Sequence, residues 1–341
     1  MTGAGMTYRS LGRSGLKVSP LCLGTMMFGG PTDEGTARRI IDDAHERGIN
    51  FIDTADAYNA GESEAVVGRA IRAHRDWWVL ATKCANPTSP GPNGRGTSRR
   101  HVIAAVDASL QRLGTDHIDL LYLHKEDHAT PLSETVHALA DLIRAGKIRH
   151  FGVSNYKAWR IAEICRLCDQ AGIDRPAASQ PLYNALNREV EVEHLPACGF
   201  YGLGVVPYSP LARGVLTAKY ATDAAPAPDS RAGRQDRRML ESEFRRESLE
   251  IAQTIAAHAL HRGVTPGQFA TAWVLHNALV TATIAGPRTE AQWQDYVGAL
   301  DCRLGPDDER LVDRLVSPGH PSTPGYTDPQ YPVEGRPVWS M

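Results

Sequence analysis

The chain has no apolar run long enough to cross a bilayer, which takes roughly 18 residues or more. Its opening stretch, MTGAGMTYRSLGRSGL, lacks the apolar centre of a secretory signal. It also lacks any excess of charge. Against 37 Lys and Arg stand 39 Asp and Glu, a net of −2, so the basic footprint of a nucleic-acid binder is missing. Six cysteines in 341 residues are too few for a disulfide scaffold. Cys165 and Cys168 form a CxxC, but no second pair or nearby His completes a metal site, and RIAEICRLCDQAG around them has helical period. They read as structural thiols, and no metal is expected. The one Asn-x-Ser/Thr sequence, at Asn86, carries a disqualifying proline. No GxGxxG follows an apolar run; GLGVVP at 202 fails the spacing and opens no helix. These absences predict a soluble, cytoplasmic protein with neither membrane nor nucleic acid as partner, and leave oligomeric state open.

What is present is a regular alternation. With hydrophobic residues at 42% and charged residues at 22%, the composition is that of a globular protein. Eight short apolar runs recur: LCLG (21–24), NFID (50–53), WVLATK (78–83), IDLLYLH (118–124), IRHFGVS (148–154), AASQ (177–180), LGVVPYS (203–209) and TATIAG (281–286). Several are apolar almost throughout, as strands buried on both faces must be. Segments of helical period separate them. In RRHVIAAVDASLQRLG, Val102, Val106, Leu110 and Leu113 fall on one stripe and Gly114 supplies a stop. In TPLSETVHALADLIRAGK, Thr130 can cap, Pro131 suits the first turn and Gly146 ends the helix. Further helices are predicted over 33–47, 61–73, 156–170, 188–198 and 289–300. Eight strand–helix units predict an α/β fold, a closed (β/α)8 (TIM) barrel, as one domain over 1–341 with no linker dividing it. Residues 8–20 read as an N-terminal hairpin. A long loop (212–238) follows the seventh barrel strand, and a proline-rich irregular tail covers 317–341. Loops of that length either cover a site or lack order.

Barrels of this kind carry their chemistry where strands end. The successive ends here hold Asp53, Lys83, His124, Ser154 with Asn155, Gln180, Tyr208, and Gly286 with Arg288. Each taken singly has a mundane reading, as an ion pair, a satisfied histidine or a packed aromatic. Seven consecutive polar strand ends would encircle one pocket. Tyr58, five residues after Asp53, adds a phenol. A phenol titrates near 10 and serves as an acid at neutral pH only when its surroundings tune it. Lys83 could lower that value, with Asp53 holding the ammonium in place and His124 either donating a hydrogen bond to a carbonyl oxygen or helping Tyr58 deliver its proton.

These segments resemble the aldo-keto reductases over nearly the whole chain, from LCLGTMMFGG to PRTEAQWQDYVGAL. FIDTADAY, ATK, SLQRLGTDHIDLLYLH, AGKIRHFGVSN and YSPLARGVLTAKY carry the likeness. The resemblance implies Asp53, Tyr58, Lys83 and His124 as a catalytic tetrad, with Tyr58 the proton donor in NADPH-dependent reduction of a carbonyl. It assigns Gly24, Thr25, Met26 and Ser209 to the binding of NADPH and places Ser154, Asn155 and Gln180 at its carboxamide, with Tyr208 stacked on the ring. Leu211, Gly214 and Lys219 would lie near the pyrophosphate. Gly286, Arg288, Thr289 and Gln292 would meet the adenosine end, Arg288 pairing with the 2′-phosphate. Thr289 and Gln292 equally fit a T-x-x-Q capping box. Two positions depart from the family's usual pattern: Tyr296 stands where an asparagine is common, and Ala285 where a proline precedes the glycine.

For the substrate wall the candidates are Phe28, Asn86 and Trp159, with Met27, Cys84 and Asp127 nearby in sequence; each has packing or a solvated loop as its alternative. The chain is similar to the bacterial branch of the family that reduces aldehydes and sugar-derived carbonyls. Two other readings stay open at this level: a non-catalytic NADP-binding subunit, and an aldolase that forms a Schiff base on Lys83. The second conflicts with a carboxylate that would keep the lysine protonated.

Overall fold

A computed structural model describes residues 5–228 and 230–333. The outer part of the tail, 334–341, and position 229 of the long loop lie outside the described residues.

The apolar runs pair side by side, all parallel. After the antiparallel hairpin β1 (Arg9–Ser10) and β2 (Lys17–Val18) come β3 (Leu21–Gly24), β4 (Phe51–Asp53), β5 (Val79–Cys84), β6 (Ile118–Leu123), β7 (Ile148–Ser154), β8 (Ala178–Gln180), β9 (Gly204–Val205) and β10 (Thr283–Ala285). The order β10-β3-β4-β5-β6-β7-β8-β9 wraps the chain's last strand against its first parallel one. The remaining seam closes irregularly. Val280 bridges Val205, Thr281 N donates to Val205 O (2.8 Å), and Ile284 N donates to Pro207 O (2.9 Å). The result is the (β/α)8 barrel.

Strand alternation then produces two cores. One face of each strand fills the barrel, with Cys22, Phe51, Ala81, Leu120, Tyr122, Ala178 and Val206 in contact. The other face packs outward on the helices through residues such as Leu23, Ile52, Leu80, Leu121 and Phe151. The hairpin stoppers the N-terminal mouth, sending Leu11 and Val18 into the inner core. Gly12 makes that approach possible. Its φ is +56°, and a Cβ there would fall 2.6 Å from Ala177 O, Gly202 O and Gly204 N.

The helices are α1 (Glu34–Glu46), α2 (Glu62–Ile71), α3 (Arg99–Leu113), α4 (Leu132–Arg144), α5 (Ala158–Ala171), α6 (His194–Tyr201), α7 (Arg237–Ser242), α8 (Arg246–His261), α9 (Pro266–His276), α10 (Glu290–Gly298) and α11 (Pro306–Leu315). In α3 the stripe Val102, Val106 and Leu113 is buried, Ser98 caps the start, and Gly114 ends the helix at φ +63°. Two boundaries differ from the expected ones. Thr130 does not cap α4, because its hydroxyl donates to Asp127 Oδ2 (2.7 Å), and Pro131 becomes the N-cap residue. The helix expected over 188–198 breaks into a single turn (Glu189–Glu191) and α6. The break puts Pro196 in the first turn of α6, where a missing N–H costs nothing, instead of inside a longer helix. α7, α8, α9 and α11 are additional to the helices that periodicity predicts; α7 begins in the last two residues of the long loop. Among the described residues no helix is long and apolar enough to cross a membrane. Nor does any group of three or more His, Cys, Asp or Glu gather as metal ligands. Cys165 and Cys168 are buried on α5.

Candidate active site

At the C-terminal mouth of the barrel lies a cavity of about 390 Å³. Residues from every strand end open into it, and beneath its floor sits a buried ion pair. Lys83, fully buried on β5, contacts Asp53 Oδ1 on neighbouring β4, donates to Thr54 O (2.8 Å), and reaches the Tyr58 hydroxyl at 3.1 Å. Gln180 Nε2 donates to the other Asp53 oxygen (3.0 Å). Burial opposes both charges, but carboxylate and phenol together hold Lys83 above the ordinary lysine range, so it is an ammonium.

Tyr58 follows β4 in a short turn whose next residues, Asn59 and Ala60, take φ of +48° and +57°. That turn brings the phenol back over Lys83, which lies 4.7 Å from the ring centroid. The ring of His124, just past β6, meets Tyr58 edge-on at 5.9 Å and 81°. The expected lowering of Tyr58 by Lys83 is present but does not win. Burial raises the phenol more than the ammonium lowers it, and the net direction is up. The hydroxyl therefore keeps its proton at neutral pH. His124 moves the other way: burial, then the ammoniums of Lys83 and Lys125, push it well below the usual histidine range, so it is neutral.

One wall is polar and internally bonded. Ser154 Oγ donates to Gln180 O (2.9 Å), Asn155 Nδ2 donates to His124 O and Ser154 Oγ (3.0 Å each), and Tyr208 Oη donates to Asn155 Oδ1 (2.9 Å). Gly24, Thr25, Met26, Ser209, Leu211, Gly214, Lys219, Gly286, Arg288 and Gln292 also line the cavity. The loop after β9 bends around it through left-handed residues: Ser209 (φ +58°), Ala212 (+46°), Arg213 (+54°) and Gly214 (+97°). Non-glycine residues there cost free energy that the surroundings must offset, and such strain clusters at binding sites.

Five of the sequence-derived candidates are not brought to the cavity: Cys84, buried in the outer core, Asp127, whose carboxylate accepts Thr97 N (2.8 Å), and Phe28, Trp159 and Thr289. Phe28 turns away and is fully buried in the outer core. Trp159 is the second residue of α5; Ala158, Arg160 and Ile161 face inward, which leaves its indole 60% exposed on the outside. Thr289 accepts Gln292 N (3.3 Å) as the cap of α10. The reciprocal bond is offset by one residue, since Gln292 Oε1 accepts Arg288 N (2.8 Å). Asn86 does reach the cavity and bonds His124. Tyr296 lines it too, 8% exposed.

Sequence reasoning missed most of the cationic rim. Lys125, Arg213, Arg231, Arg234 and Arg238 join Lys219 and Arg288, against Asp53 and Asp295 as the only lining carboxylates among the described residues. Arg231 is 15% exposed with Asp236 at 3.4 Å, and Arg238 forks onto Asp328 of the tail (3.0 and 2.7 Å). That fork anchors the segment carrying Gln330 and Tyr331 to the cavity. The arginine density of DSRAGRQDRR was the available signal.

Two residues before Tyr58, outside this cavity, lies a misfit. Asp56 is 3% exposed, and among the described residues no side chain donates to either of its oxygens. Burial, then the Glu64 carboxylate, raise it from 3.8 to about 7. The folded protein thus binds a proton that the unfolded chain releases between about pH 4 and 7, and stability falls as pH rises through that window. At higher pH the cost is roughly 4 kcal/mol as an upper bound. Asp56→Asn is expected to raise the melting temperature at pH 8 and to flatten its decline between pH 5 and 8; an unchanged decline would assign it to another group.

A family model described as Aldo/keto reductase family matches residues 20–317. The chain belongs to the aldo/keto reductase family. It is 38% identical to the uncharacterized oxidoreductase YrpG of Bacillus subtilis, over 94% of this chain and 99% of that one. It is 36% identical to a probable voltage-gated potassium channel subunit beta of Arabidopsis thaliana (87% and 92%). To the versiconal hemiacetal acetate reductase of Aspergillus parasiticus it is 33% identical (92% and 99%). As an aldo/keto reductase it is an oxidoreductase, and family and reductase relatives alike support carbonyl reduction as its general chemistry.

Proposed function

We propose that this aldo/keto reductase reduces an aldehyde or ketone to the alcohol with NADPH, Tyr58 acting as general acid. The observation that carries the reading is the protonated Tyr58 hydroxyl, 3.1 Å from the buried Lys83 ammonium and beside a neutral His124, at the floor of the cavity. The donor set fits a phosphorylated dinucleotide. The lining combines uncharged groups, Ser154, Asn155, Gln180 and Tyr208, with the cationic side chains that phosphates require. At Gly286 a Cβ would meet nothing within 4 Å, so space is open beside the backbone there.

NADPH when bound supplies the hydride. Ser154, Asn155 and Gln180 would orient its carboxamide and Tyr208 its ring. Lys219, Arg213 and Arg231 would neutralise the pyrophosphate, and Arg288 the 2′-phosphate. His124 would orient the carbonyl by donating to its oxygen. Tyr58 would pass its proton to that oxygen, and Lys83 would stabilise the phenolate left behind. The aldolase reading loses ground, because a fully buried lysine held as an ammonium has no lone pair for a carbonyl carbon.

NADPH oxidation across aldehydes, ketones and keto-sugars tests the proposal, with Tyr58→Phe as the control. Likeness to proteins named as potassium channel beta subunits favours one second reading, a cofactor-binding subunit. NADPH binding without turnover on the whole panel would be its signature. For the cofactor, Arg288→Ala is expected to weaken NADPH by about 10- to 100-fold, the worth of a charge-assisted contact, and NADH by far less. Fluorescence titration measures both, and equal losses would remove the 2′-phosphate role.

A further inference from the structure

Asn86 lies just beyond β5, and the backbone is distorted to put it there. Ala85 has φ +108°, a conformation that a residue with a Cβ rarely adopts. Two hydrogen bonds hold the kink: Gly96 N donates to Ala85 O (2.9 Å) and His124 N to Cys84 O (2.8 Å). The outcome is a short contact in the cavity wall, Asn86 Nδ2 to His124 Nδ1 at 2.9 Å. With the amide nitrogen turned to the ring, as it is here, Nδ1 is the acceptor. A neutral imidazole that accepts at Nδ1 holds its proton on Nε2.

We propose that Asn86 is a positioning residue that fixes His124 as its Nε2–H tautomer, so that the ring can only donate a hydrogen bond. The proposal rests on the carbonyl-reduction reading for its consequence, though not for its geometry. The titratable groups facing the ring agree with it. Lys83 on β5 and the adjacent Lys125 both disfavour an imidazolium, and the Tyr58 ring stands at 81° to the imidazole with centroids 5.9 Å apart. Behind the ring, Asn155 holds the His124 carbonyl (3.0 Å). A ring locked in this state can orient a carbonyl oxygen but cannot give up a full proton without becoming an anion. The two roles are thereby divided: His124 orients, and Tyr58 alone protonates.

The test is Asn86→Asp, nearly the same in size but only able to accept. The Asp carboxylate draws the proton to Nδ1, leaves a lone pair on Nε2, and raises the imidazolium pKa. In the full chain labelled with ¹⁵N-histidine, the His124 signals are assigned by their loss in His124→Gln. At pH 8 the wild type is expected to show a protonated Nε2 and a bare Nδ1, and Asn86→Asp the reverse. Turnover of Asn86→Asp at pH 8 should fall about 10- to 100-fold and recover toward pH 6, where the ring regains a proton on Nε2. A wild-type ring protonated at Nδ1 would overturn the proposal whether or not a carbonyl substrate is found. So would a reversed tautomer with an unchanged pH profile. A wild type that turns over no carbonyl at all would sink the reductase reading, and the nitrogen shifts would still decide the tautomer.

Discussion

Tyr58→Phe is expected to lower turnover by about 10²- to 10⁴-fold, the usual worth of a positioned general acid, while NADPH affinity changes little. The structure supports a clean interpretation of that variant. The phenyl ring would keep its place against His124 and Lys83, and only the hydroxyl is lost. Lys83 would still hold Asp53 and Thr54 O, so no buried charge is stranded and the fold should melt as before. The pH profile adds a second check. Reduction needs the protonated phenol, so the rate should hold at neutral pH and fall as pH rises through the Tyr58 pKa. Burial puts that value above an ordinary tyrosine's 10. The variant should lack this alkaline limb. Single-turnover measurement with chemistry rate-limiting decides the matter, and undiminished turnover would remove Tyr58 from the acid role.

The scaffold was legible because its strands obey a demanding rule. A strand with helices outside and a packed barrel inside must be apolar on both faces, and LCLG or FID leaves little other reading. Once strand ends were located, so were Asp53, Lys83 and His124, because in this architecture position along a strand is position relative to the site. Tyr58 needed more than counting. Its placement depends on the left-handed turn at Asn59 and Ala60, for which neither residue is an obvious signal.

Legibility failed where contacts are long-range. Arg238 enters the cavity rim through its fork onto Asp328, ninety positions away, and no local pattern pairs those residues. The same fork brings in Tyr331 from a tail that composition marks only as irregular. Trp159 and Phe28 failed for a different reason. Closeness in sequence to a strand end says nothing of which way a side chain leaves the helix or turn that follows. α9 is a third case. Thr265, Pro266 and Gln268 form a complete capping box with proline at the first turn, a legible start, yet nothing local says that two long helices follow the seventh barrel strand.

The sharpest separation of stability from chemistry lies in the Asp53–Lys83 pair. Lys83→Met would leave Asp53, 2% exposed, with Gln180 Nε2 as its remaining side-chain partner. Stranding one member of a buried pair costs about 3–5 kcal/mol. The lone carboxyl, its pKa raised, would then make the variant more stable at low pH than at neutral pH, since the folded state retains a proton that the unfolded chain gives up. Adding Asp53→Asn removes the stranded charge, and the double variant should recover most of the lost stability and lose that pH slope, because two neutral groups of similar size suit a dry floor better than one ion. Activity should not follow. Without the ammonium nothing stabilises the phenolate, so both variants should turn over at least about 10²-fold more slowly than the wild type. Denaturant unfolding at pH 5 and pH 8, beside single-turnover rates, gives both readouts. A double variant that regains activity with stability would make the pair a structural strut, and an unimpaired Lys83→Met would contradict the buried contact itself. Recovery of stability alone would mean that the charges are kept for the proton on Tyr58, at a cost to the fold.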